Sequence, residues 1–224
     1  MTSEIIMPGP IDNGGAVTAL GQVAIERRSI KRIQEELATR GFTFNFGQHL
    51  SDLTKTFPEA DTINILDSGC GFQKALRNIK TISNKLQIPT FTVGVTQNEN
   101  HVPKNQDHPS NADLLIIGSV QEAHIQGLLD QKFHFILDFY GATYYDNPFD
   151  GATTLPVYSD LLVPGGTVLF VSENLIEDNP FIQWRQNLGL SSEISRDELL
   201  QFVDQCDFNI LRLEEKYSWV QKRY

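Results

Sequence analysis

The chain has 224 residues, with 18 Lys plus Arg against 28 Asp plus Glu and a formal charge of -10 at pH 7. That length suits one domain able to bury most of the apolar surface its unfolded form exposes, and the acidic balance opposes binding to a phosphate backbone unless a local basic patch overrides it. The densest basic stretch, "ERRSIKR" at 26–32, has the pattern of a solvated helix face, so neither nucleic acid nor a membrane is expected as a partner. The two cysteines, Cys70 and Cys206, stand in no metal-ligand or disulfide spacing, which points to a reducing compartment, the cytoplasm. The opening "MTSEIIMPGPIDNGG" has no basic n-region and no apolar run of spanning length, so residues 1–18 are expected to form a flexible leader.

From Ala19 to Arg40 the residues Val23, Ile30, Ile33 and Leu37 share one helical face, and Gly41 is placed to end that helix. Residues 42–60 are mixed in character and predict a loop with a helical turn; together, 19–60 form a helical, lid-like segment ahead of the sheet. An alternation follows: strand 62–68, helix 73–87, strand 90–96 after Pro89, strand 112–119, helix 121–130, strand 132–139, helix 153–163 and strand 167–172, with "VPGG" at 163–166 turning the chain. "SRDE" at 195–198 is a capping box heading a helix, and strands 208–214 and 217–223 close the chain. Strands that are apolar on both faces and alternate with helices predict an α/β fold: a mainly parallel sheet covered on both sides, with a ligand outside the carboxyl ends of its strands.

The first core strand runs into "INILDSGCGFQKAL" at 63–76. Gly69 and Gly71 can take positive φ and have no Cβ, so the backbone can pass close beneath a ligand while the next helix aims its N–H groups at it. "ILDSGCGF" at 65–72 resembles the D-x-G-x-G-x-G signature of the class I S-adenosylmethionine-dependent methyltransferases, and "LLVPGGTVLF" at 161–170 is similar to that family's entry to strand five. The order of elements matches over roughly residues 20–224.

The resemblance implies a Rossmann-like, seven-stranded, mainly parallel sheet with an antiparallel terminal strand, in a single domain at 19–224, and S-adenosylmethionine as cofactor. It implies cofactor binding by Asp67, Ser68, Gly69, Cys70, Gly71, Thr96, Gln97, Ser119, Val120 and Asp138. Asp67 would attract the cofactor's ammonium, and Asp138, where the methyl emerges, would orient or deprotonate the acceptor, assisted by Tyr140. Tyr144, Tyr145 and Phe149 would wall the acceptor pocket, with Phe44, Phe46 and His49 lining it from the lid side.

Three positions depart from the family pattern. Gln73 replaces the third glycine and adds bulk at the turn, neutral Thr96 and Gln97 stand where an acid holds the ribose hydroxyls, and Ser119 stands where an Asp flanks the adenine. Neutral partners bind less strongly than charged ones. A nicotinamide dinucleotide turn would need a glycine where this chain has Lys74. The expected activity is methyl transfer to a small-molecule or protein acceptor; the other reading is a non-catalytic binding module on the same fold. Nothing in the pattern sets an oligomeric state.

Overall fold

The computed structural model describes residues 4–6, 29–39, 41–96, 111–139, 154–171, 196–213 and 217–224. Numbered in chain order, the elements are β1 (Glu4–Ile6), α1 (Ile30–Thr39), α2 (Phe46–Thr56), β2 (Ile63–Ser68), α3 (Lys74–Leu86), β3 (Thr90–Thr96), β4 (Leu114–Ile117), α4 (Val120–Ile125), β5 (Phe133–Asp138), α5 (Thr154–Leu161), β6 (Leu162–Val171), α6 (Arg196–Gln205), β7 (Phe208–Leu213) and β8 (Tyr217–Lys222).

The strands form one sheet in the order β1-β4-β3-β2-β5-β6-β8-β7. Strands β4, β3, β2, β5 and β6 pair in parallel, and β8 is antiparallel to both β6 and β7. These are the seven strands the sequence predicts. The eighth, β1, lies in the expected leader and adds a short parallel edge strand, Glu4 to Ile6 opposite Leu114 to Ile116. Strands β2, β4 and β5 are buried on both faces almost throughout, the signature of a parallel sheet sandwiched between helices.

Two apolar layers cover the sheet. One face packs Ile65, Phe135, Leu137 and Leu169 beneath α1, α2 and α3. The other packs Leu66, Ile136, Val168 and Phe170 beneath α4, α5 and α6. Strand alternation therefore decides which layer each residue joins.

Three local differences have clear causes. The region expected as a loop with a helical turn holds a full 11-residue helix, α2, because Asn45 caps it by accepting from Gln48 N–H, and Phe46, His49, Leu50 and Leu53 supply a buried stripe. Helix α4 starts at Val120 because Ser119 and Glu122 form a reciprocal capping box. The "VPGG" turn is a bulge within β6: Phe133 pairs Leu162 and Phe135 pairs Thr167, so the intervening residues loop out of register.

Candidate functional site

The chain runs β2, β3, β4 outward on one side and then returns to place β5 on the other side of β2. The topological switch point lies between β2 and β5, where an open α/β sheet forms its ligand crevice. Parallel register brings four strand ends to this edge: Ser68 lies opposite Val95, Thr96 opposite Ile117, and Asp67 opposite Leu137. Asp67, Ser68, Gly69, Cys70, Gly71, Thr96, Ser119, Val120 and Asp138 are thereby gathered along one rim. Gln97, Tyr140, Tyr144, Tyr145 and Phe149 lie outside the described residues.

The turn after β2 is built on two glycines in the left-handed region, Gly69 at φ 97 and Gly71 at φ 47, which residues with a Cβ adopt at a cost. The N–H groups of Gly69 and Cys70 both donate to the Val95 carbonyl at 2.8 Å, and Gln73 N–H closes the turn onto the Cys70 carbonyl at 2.8 Å. Cys70 is buried and forms no disulfide among the described residues. Its side chain rests on Gly94 of β3, where an added Cβ would come within 2.8 Å of Cys70 Sγ and 2.9 Å of a Leu76 methyl. Thus Gly94, in the neighbouring strand, makes room for the turn. Helix α3 then opens with no side-chain cap from Gln73, so its first N–H groups form the positive end that an anionic ligand group would meet. Phe72, at the tip of the turn, is 45% exposed.

Gln73 departs from the expectation of bulk narrowing the turn. It adopts φ 59 and ψ 24, yet its side chain is buried, with Oε1 accepting from Asn111 N–H at 2.8 Å and Ala112 N–H at 3.3 Å. Its carboxamide therefore engages the approach to β4.

Asp138, expected to orient or deprotonate the acceptor, ends β5 as a buried side chain. It is 0% exposed, and Oδ2 accepts from the Tyr158 hydroxyl at 2.6 Å. With Ile136, it faces the α4–α5 layer, so this carboxylate holds α5 against the end of β5 rather than standing open at the rim. The same layer carries a second buried polar contact, Gln121 Nε2 donating to Thr154 Oγ1 at 2.9 Å. Ser68 is buried, and its Oγ has no hydrogen-bond partner among the described residues. Ser119 Oγ is engaged in capping α4, accepting from Glu122 N–H at 3.1 Å, and Val120 packs in the core.

The three residues expected from the lid side, Phe44, Phe46 and His49, lie in the apolar layer beneath the helices of one face, over the middle of the sheet. The His49 ring lies 4.8 Å from Phe135, 5.3 Å from Trp219 and 5.6 Å from Phe44, and Nε2 is 3.1 Å from Thr167 Oγ1. Burial drives its pKa down to about 4, against a smaller raising effect of Asp52. Phe135 and Thr167 are mid-strand partners, well below the strand ends, so these aromatic residues consolidate the core.

Sequence reading missed Tyr158, Gly94 and the anchoring role of Gln73. Only the Ser119–Glu122 capping box left a local signal, the S-x-x-E spacing. Among the described residues no group of three or more His, Cys, Asp or Glu side chains is arranged to hold a metal ion, and no helix is long and apolar enough to cross a membrane.

The sheet order, the antiparallel β8 and a glycine turn at the switch point define a Rossmann-like α/β fold with a mainly parallel sheet. No protein-family model matches the chain, and no curated protein matches it. Solved structures similar to it include an S-adenosylmethionine-dependent methyltransferase from Mesorhizobium loti, 13% identical, with 77% of this chain and 96% of that one covered at a TM-score of 0.47. Another is a methyltransferase from Methanosarcina mazei, 16% identical, covering 73% and 94% at 0.42. A third is the N-methyltransferase NodS from Bradyrhizobium japonicum, 10% identical, covering 80% and 94% at 0.45. At these identities the similarity is one of fold.

Proposed function

We propose that the chain binds S-adenosylmethionine across the ends of β2, β3, β4 and β5 and transfers its methyl group to a small-molecule or protein acceptor. The observation that carries this reading is the left-handed Gly69–Gly71 turn at the switch point, where the backbone can pass beneath a ligand and α3 can present its N-terminus. Methyl transfer from a sulfonium is an in-line displacement governed mainly by positioning and exclusion of water, so it requires no triad and no metal. In this reading the turn cradles the cofactor's amino-acid and ribose portions, Thr96 lies on the ribose side, and Val120 lies beside the base. Gln97, Tyr140, Tyr144 and Tyr145 belong to the same proposal, as ribose contact, helper and acceptor walls. Two buried cysteines that form no disulfide among the described residues fit a cytoplasmic setting, and the acidic balance fits an acceptor other than nucleic acid.

A second reading is favoured by one observation. The Asp138 carboxylate, the candidate base, is fully buried against Tyr158, which suits a binding module that holds the cofactor without turning it over. Both readings require the same first step. S-adenosylhomocysteine should raise the melting temperature, since a ligand selective for the folded state adds about 2.7 kcal/mol at a hundredfold excess over its dissociation constant. Gly71→Val should abolish that shift by placing a branched side chain at a left-handed residue under the ligand. An unshifted wild type at millimolar ligand would refute cofactor binding; bound cofactor without methyl transfer to any acceptor would select the second reading.

A further inference from the structure

We propose that Gln73 is a positioning residue for the cofactor turn, a latch that fixes the turn's closing end to the chain entering β4. This rests on the cofactor reading above and extends it to a residue at which the family signature has glycine. Left-handed backbone is rarely adopted by residues with a Cβ, yet Gln73 sits there at φ 59, and it is 1% exposed. What holds it is its side chain. A single amide oxygen accepts two successive backbone N–H groups, from Asn111 at 2.8 Å and Ala112 at 3.3 Å, in a chain segment 38 residues away.

Without that oxygen both donors, of which Ala112 is buried and Asn111 part-buried, would lose this acceptor. The backbone at Gln73 is bound at both ends as well: its N–H closes on the Cys70 carbonyl at 2.8 Å, and its carbonyl receives the Arg77 N–H at 3.0 Å, in the first turn of α3. The turn, the helix start and the entry to β4 thus meet at one side chain. One step further along, Lys80 of α3 pairs with Asp113, and Asp113 Oδ2 accepts from Thr92 N–H at 2.8 Å. This second tie keeps the segment in place when the first is cut, so the Gln73 contact acts on the turn rather than on the fold as a whole. Glycine would satisfy the backbone angle but supply no latch. Gln73 supplies the latch and tolerates the angle, presetting the distance between the turn and the approach to β4 before any ligand arrives.

The test uses the full chain with S-adenosylhomocysteine as probe in calorimetric titration. Gln73→Met keeps length and bulk but removes the acceptor, Gln73→Gly removes both, and Gln73→Glu keeps an acceptor for both N–H groups. Methionine and glycine variants should weaken binding about tenfold, the equivalent of losing one well-placed hydrogen bond, and Gln73→Glu should recover most of it. Amide exchange at Asn111 and Ala112 should quicken in the first two variants only. Equal affinity in wild type, Gln73→Met and Gln73→Gly overturns the latch and leaves the cofactor reading standing. Absence of binding in the wild type overturns that reading and the positioning role with it. If Gln73→Met alone fails to fold, Gln73→Gly, free of the left-handed cost, decides the outcome.

Discussion

The Tyr158 hydroxyl and the Asp138 carboxylate form a buried pair whose 2.6 Å contact joins α5 to the end of β5. Removing the hydroxyl takes one hydrogen bond from a fully buried carboxylate, and loss of a hydrogen bond to a charged group costs about 1.5–3 kcal/mol. Tyr158→Phe should therefore lower stability by that amount in urea unfolding. It should also loosen α5 before the rest of the sheet, seen as faster amide exchange in residues 154–161. If the variant matches the wild type in both measurements, the pair is incidental to the fold and Asp138 is available for other roles. At the scale of single residues, the Asp138–Tyr158 contact links β5 to α5.

Among elements, the decisive contact is between the glycine turn and β3. The turn can lie flat because Gly94 leaves space for Cys70 and Leu76, which an added methyl would approach at 2.8 and 2.9 Å. Gly94→Ala should cost about 1–3 kcal/mol by overpacking. It should also weaken S-adenosylhomocysteine binding, because relief of the clash requires the turn to move. Cys70→Ala in the same chain should restore much of both, a coupling that a double-mutant cycle isolates. Additive losses would show that the turn does not rest on β3 through this pair. Helix α3 contributes its own constraint, burying Ala75, Leu76, Ile79 and Ser83. Leu86, in its last turn, is exposed.

The whole molecule carries a pH dependence through His49. Its pKa is lowered to about 4 in the folded chain by burial, whereas the unfolded side chain titrates near the ordinary value of about 6.5. Between those values the unfolded chain binds more protons, so stability rises with pH across this window: it is complete above the unfolded value and lost as pH falls toward about 4. Each pH unit crossed is worth about 1.4 kcal/mol, giving a loss of about 3 kcal/mol in all, a large share of the roughly 5–15 kcal/mol of a typical domain. Burial also lowers the pKa of His134, and its Nδ1 accepts from Asn64 N–H at 2.9 Å, so it adds to the slope in the same direction. His49→Leu should flatten, without erasing, the fall in urea midpoint between about pH 7 and about pH 4. A variant with the wild-type slope would place the sensitivity in other groups. At the other extreme, Cys206, with a pKa pushed up to about 12 by burial, stays protonated and contributes nothing to this window.

The sequence by itself determined the sheet and the glycine turn at its switch point. Strands buried on both faces left continuous apolar runs, the helices left 3.6-residue stripes, and Gly69 and Gly71 marked a backbone turn that few other residues can make. These signals are local, because each element's pattern is set by its own faces. The tertiary structure alone decided which polar groups meet. Tyr158 reaches Asp138 across 20 residues, Gln73 reaches Asn111 across 38, and His49 reaches Thr167 across 118. No spacing rule connects such positions; only the crossover of β5 to the far side of β2 and the packing of helices on two faces bring them within hydrogen-bonding distance. The same packing drew Phe44, Phe46 and His49 into the core, where burying their rings is worth more than exposing them at a rim.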